Sequence, residues 1–131
     1  MNIKDSVLHE MQLEAQAILL VAKQLNESDL QKAFDFLSSC KGKVVLTGMG
    51  KAGIIARKVS ATLASTGTTS IFLHAAEGIH GDLGMLQNND VVMAISNSGN
   101  TQELLSILPY IKFLKVPLIA LTGNPQSQLA L

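Results

Sequence analysis

Two short glycine-punctuated loops constrain this chain more than any other feature. Thr47-Gly48-Met49-Gly50-Lys51-Ala52-Gly53 and Ser96-Asn97-Ser98-Gly99-Asn100-Thr101 each follow a short apolar run and each open into a helical pattern. A strand that turns within a few residues into a helix leaves the first N–H groups of that helix without carbonyl partners, at the positive end of its dipole. Such a junction favours an anion, and two of them in one small chain describe a phosphate site. The second loop adds the hydroxyls of Ser96, Ser98 and Thr101, and neither loop holds an acidic residue.

The pattern around the loops supplies the fold. Ile3, Val7, Met11, Ala15, Ile18, Ala22 and Leu25 recur at steps of three and four, one face of a long helix over Ile3–Leu25. Ser28 suits the N-cap of a second helix carrying Leu30, Ala33, Phe34 and Leu37. After Gly42 the chain alternates: Lys43–Thr47, Thr69–Leu73, Asp90–Ile95 and Val116–Leu121 as strands, with helices over Lys51–Ser65 and Thr101–Leu114. Tyr110, Ile111 and Leu114 continue the last helix beyond Pro109, so the proline is expected to kink it rather than end it. Strands apolar on both faces belong to a parallel sheet covered on each side, a flavodoxin-like three-layer α/β/α arrangement. Right-handed crossovers then give the strand order 2-1-3-4, which places both glycine loops at the switch point where ligands bind in open α/β sheets.

With 131 residues, 47% of them hydrophobic, the chain reads as a single domain, residues 1–41 forming a helical lead-in and 42–131 the α/β part. Ten basic and ten acidic residues cancel, so no global field draws in nucleic acid or an anionic membrane surface. A 4% aromatic content without tryptophan argues against a base-stacking surface. Cys40 is the single cysteine, there is no signal-peptide pattern, and no apolar run approaches the roughly 20 residues of a membrane span. A cytoplasmic location is expected.

Several side chains admit two readings. Gly48-Met49-Gly50-Lys51-Ala52-Gly53 has the form of a dinucleotide fingerprint, but the second strand ends in Phe72-Leu73-His74 rather than in the acidic residue that would hold a ribose. Lys51 stands in the first turn of a helix, where a cation loses stability unless an anion sits beside it. Glu103 completes a capping-box pattern with Asn100, and a carboxylate there also suits a general base. His80 lies in a glycine-rich stretch, His74–Gly84, read as a long loop; it either ties that loop down or moves a proton near neutral pH. His74, Glu77, His80 and Asp82 in the same stretch follow no compact metal-ligand spacing.

At these residues the chain resembles the sugar isomerase (SIS) domain, and within it D-arabinose 5-phosphate isomerases of the KpsF/GutQ type. The likeness runs through Gly42–Val45, Thr47–Lys51, Ala64-Ser65-Thr66-Gly67-Thr68, His80–Met85, Ser96–Gly99 and Val116–Pro125, about the last 90 residues. It implies interconversion of D-arabinose 5-phosphate and D-ribulose 5-phosphate through an enediol, with no redox cofactor and no metal, in a homodimer or homotetramer. It assigns Lys51, His80 and Glu103 to catalysis, and Gly48, Gly50, Ser96, Asn97, Ser98, Gly99 and Thr101 to the sugar phosphate. Departures stand at Ala52 and Ile54, where the family commonly has serine and histidine, and at Asn100, where an acidic residue is frequent. The family also continues past the Asn124-Pro125 turn into a fifth strand and segments bearing a further glutamate and histidine, so the resemblance implies either a fragment or a degenerate member, one expected to bind a sugar phosphate and turn it over little. A non-catalytic sugar-phosphate-binding module of the kind found in regulators shares the same loops and is the rival reading.

Overall fold

The computed structural model describes residues 2–131. The chain divides into two compact units, the first ending at Phe34 and the second spanning Asp35–Leu131. The first unit holds α1 (Ile3–Gln24) and the start of α2 (Glu27–Ser38). Asn2 caps α1, accepting from Asp5 N at 2.8 Å. The cap of α2 is Asn26, which accepts from Asp29 N at 3.0 Å, and not Ser28 as the sequence suggested. Asparagine two residues earlier reaches the third helical N–H, so Ser28 falls inside the first turn.

In the second unit a four-stranded parallel sheet has the order β2-β1-β3-β4, as the two-loop topology requires. The strands are β1 (Val44–Gly48), β2 (Ser70–His74), β3 (Val91–Ile95) and β4 (Leu118–Leu121). On one face α3 (Gly50–Ser65) lays Ala52, Ala56, Val59 and Leu63 over Val44, Leu46, Phe72, Met93 and Ile95. On the other, α5 (Gln102–Phe113) drives Leu104, Ile107, Leu108 and Ile111 onto Val45, Leu73, Val92 and Ala94. Each fully buried aliphatic side chain contributes about 1.5–3 kcal/mol, so these two layers carry the fold.

Strand and helix ends fall within a residue or two of the sequence reading. The largest offset has a clear cause: β4 starts at Leu118 rather than Val116 because Val116 N donates back to Ile111 O at 3.3 Å and closes α5 instead of joining the sheet. Helix α5 runs through Pro109. The stretch His74–Gly84, read as a loop, contains a short helix, α4 (Ala75–Ile79), and a 3-10 turn at Asp82–Met85. Ala75 and Gly78 are its buried positions, and a Cβ on Gly78 would meet Leu83 and Ile107 at 3.4–3.5 Å. Small inward residues pack this helix on α5 while leaving no large apolar period in the sequence.

At the N-terminal end of the sheet Asp90 is buried and gathers three donors: Lys43 Nζ at 2.7 Å, Lys43 N at 2.9 Å and Gln87 N at 2.8 Å. This knot joins the entries to β1 and β3. The opposite, C-terminal ends of the same two strands carry both glycine loops. Among the described residues, no helix is long and apolar enough to cross a membrane.

Candidate functional site

Gly48 pairs with Ile95 across the centre of the sheet, so the turns into α3 and α5 leave from neighbouring residues on adjacent strands. The turn into α3 is tight: a Cβ on Gly53 would lie 2.9 Å from Gly48 O. In α3 the first helical bond is Gly53 N to Met49 O, and in α5 it is Leu105 N to Thr101 O. Among the described residues no side chain caps either helix, whereas α1 and α2 are both capped by asparagine. The first N–H groups of both helices therefore lack side-chain caps, giving two electropositive helix starts that leave adjacent strand ends at the switch point.

The loop between β3 and α5 is organised from within. Ser96, 3% exposed, accepts from Gly99 N at 3.0 Å and shares a 2.9 Å hydrogen bond with Thr101 Oγ1. Either hydroxyl can be the donor in that bond, and with Gly99 N it ties Ser96 into the loop. Ser98 is exposed, and its Oγ accepts from Asn100 N at 3.2 Å, which leaves the Ser98 hydrogen free. Of the three hydroxyls in the sequence motif, the buried Ser96 shapes the loop, and the exposed Ser98 keeps its hydrogen to donate outward. The capping box is not formed, because the N-cap of α5 is Thr101 and the Asn100 carboxamide oxygen accepts from Gln128 N at 3.0 Å. Glu103 lies exposed in the first turn of α5, relieved of that role.

A cleft of about 330 Å³ opens beside the loops, in the size range of small-ligand sites, lined by Lys51, Ala52, Ile55, Ile95, Asn97, Leu121, Thr122 and Gly123. Lys51 and Asn97 thus come together from the two loops. Its apolar wall and its rim at the end of β4, Leu121 to Gly123, were not named as site residues by the sequence reading, which singled out only the Asn124-Pro125 turn beyond them. His80 and Glu103 do not line this cleft. His80 is exposed at the C-cap of α4, on the sheet face shared with α5, while Lys51 belongs to α3 on the other face. Gly50 begins α3 and Gly99 is buried beneath its loop.

Two buried polar atoms near these strand ends have no partner among the described residues, Thr47 Oγ1 on β1 and His74 Nδ1 on β2. Among the described residues no group of three or more His, Cys, Asp or Glu is placed to hold a metal ion.

The pattern of the SIS domain matches residues 36–131. Arabinose 5-phosphate isomerase KdsD of Pseudomonas aeruginosa is 55% identical over 102 residues, covering 78% of this chain and 31% of the relative. Arabinose 5-phosphate isomerase KpsF of Escherichia coli O6:H1 is 45% identical over 125 residues, covering 95% of this chain and 38% of the relative. The chain therefore spans about a third of the length of the curated relatives it matches. Among solved structures, a protein of Escherichia coli CFT073 in complex with arabinose 5-phosphate superposes with a TM-score of 0.90 at 47% identity, over 99% of this chain and 70% of the other.

Proposed function

The chain belongs to the SIS domain family, and on that premise we propose that it binds a pentose 5-phosphate and serves D-arabinose 5-phosphate/D-ribulose 5-phosphate isomerisation, as the names of its relatives describe for them. The observation that carries this reading is the pair of uncapped helix starts leaving paired residues of β1 and β3, with the exposed Ser98 hydroxyl free to donate from the second loop. The phosphate sits on the Ser96–Thr101 loop, held by Ser98, Thr101 and the first N–H groups of α5. Lys51 brings the positive charge that an oxyanion on the open-chain sugar needs, and its unfavourable place at a helix N-terminus is offset by that anion.

Isomerisation moves a proton between C1 and C2. A base takes the proton from C2 of the open aldose, an enediol forms, and the same group returns a proton to C1. Glu103 has this role in our reading, and His80 assists opening of the sugar ring. No step needs an external oxidant, since the carbonyl is reduced at one carbon as the hydroxyl is oxidised at its neighbour. We place the protein in the cytoplasm as a homo-oligomer; the lone cysteine and the exposed Ile3, Val7, Met11 and Ile18 of α1 support this.

Ser98 offers the sharpest test of the phosphate loop. Replacing it by alanine removes one hydrogen bond to a charged group, worth about 1.5–3 kcal/mol, or roughly ten- to more than a hundredfold in affinity for arabinose 5-phosphate. Calorimetry reads the change directly; unchanged affinity in Ser98→Ala would show that the loop does not hold the phosphate.

A further inference from the structure

The loop that receives the phosphate is held from outside by the segment that follows β4. Ser96 N donates to Leu121 O at 3.1 Å. Asn97 O accepts twice, from Gly123 N at 3.1 Å and Thr122 Oγ1 at 3.3 Å. Gly99 O accepts from Leu129 N at 3.0 Å, and the Asn100 carboxamide from Gln128 N at 3.0 Å. The segment is itself well built. Asn124 N donates to Thr122 Oγ1 at 3.2 Å, Ser127 is 1% exposed, and Leu129, 5% exposed, is sunk in the core layer beneath α5. Gly99 has φ +67, and a Cβ there would overlap the Ser127 side chain, so the loop and this turn are fitted backbone to side chain.

A trans peptide unit points its C=O and the following N–H in opposite directions. Drawing the Asn97 carbonyl toward Thr122 and Gly123 therefore turns Ser98 N–H the other way, and drawing the Gly99 carbonyl toward Leu129 does the same for Asn100 N–H. Asn100 N–H meets the Ser98 hydroxyl, so hydroxyl and N–H share the side away from the turn. Ser98 N–H makes no hydrogen bond among the described residues. A carbonyl oxygen facing a phosphate would repel it; here both carbonyls are occupied elsewhere.

We infer that Thr122 and Asn100 are positioning residues. Through them the Thr122–Leu129 turn holds two loop carbonyls away from the sugar phosphate and aims the loop's donors at it. This deepens, and rests on, the reading of the loop as the phosphate site. By linkage, an anion bound on one side must tighten the clamp on the other.

Inorganic phosphate titrated into the labelled protein, followed by amide proton and nitrogen resonances and by hydrogen exchange, tests this. In the parent, phosphate shifts the Ser98 and Asn100 amides and slows exchange at Gln128 and Leu129. In Asn100→Ala, which removes one neutral hydrogen bond from an exposed side chain, phosphate affinity falls about two- to tenfold and the Gln128 protection is lost. Thr122→Val, nearly isosteric, weakens binding by a similar factor from the other end of the clamp. Asn100→Asp keeps the acceptor for Gln128 N and so keeps protection at Gln128 in the free protein, which a general loss of stability would not do, while its added negative charge lowers phosphate affinity. If the parent responds at Ser98 but Asn100→Ala and Thr122→Val bind phosphate as the parent does, the clamp is refuted while the phosphate site stands. No response in the parent refutes both.

Discussion

If Glu103 is the base, as proposed, Glu103→Gln is expected to lower the rate at which the C2 hydrogen of arabinose 5-phosphate exchanges with deuterated solvent by about 10²–10⁴-fold, while affinity for the sugar changes little. The substitution keeps the size and the hydrogen-bonding shape of the side chain and removes only its ability to accept a proton. Exchange at C2, followed by proton NMR, isolates the proton abstraction from later steps and registers slow turnover. The structure sharpens this expectation because Glu103 has been freed from capping: Asn100 is engaged with Gln128 N, and the N-cap of α5 is Thr101 without a side-chain bond. A residue that only stabilised the helix would show lower thermal stability and an unchanged exchange rate. That pattern would remove Glu103 from the reaction.

Asp90→Ala destabilises the fold by about 1–3 kcal/mol, because two backbone N–H groups lose their acceptor and the partly exposed Lys43 ammonium loses its partner. Urea unfolding measures it. The same knot sets an acid limit. Burial pushes the Asp90 carboxyl up, but the hydrogen bond from the Lys43 side chain, those from Lys43 N and Gln87 N, and the lysine charge together outweigh it, so its pKa lies below the ordinary value. The unfolded chain then binds the proton more readily than the folded one in acid. The contribution of Asp90 is full above the unfolded pKa of about 3.9 and is lost as pH falls through the lower folded value. Asp90→Ala therefore has a shallower loss of stability below about pH 4 than the parent. Equal slopes would mean that the carboxylate is not favoured by folding.

The architecture was legible because its two signals are local and strong. Apolar runs on both faces mark parallel strands, and glycines at the ends of the first and third mark where helices start against the sheet, so the order of strands followed from connection rules alone. What stayed hidden depends on packing between distant segments. The short helix with Ala75 and Gly78 buried shows no large apolar period, and its inward face packs close to Ile107 of α5 and to Leu83. Asn100 reads as a cap from its neighbours in sequence, yet its partner lies 28 residues away in the turn after β4. Ser96 and Ser98 look alike in the loop; burial alone separates the one that shapes it from the one that can donate outward. The wall of the cleft from Leu121 to Gly123 has no chemical signature of its own, and becomes part of a site because β4 lies beside β3.

Calorimetric titration of the protein with arabinose 5-phosphate and, separately, with unphosphorylated arabinose tests the central claim most directly. Two or more charge-assisted hydrogen bonds to the phosphate, each worth about 1.5–3 kcal/mol, predict that the phosphorylated sugar binds roughly a hundredfold or more tightly than the bare one. Equal affinity for the two sugars, or binding of neither, would contradict a phosphate site at the start of α5.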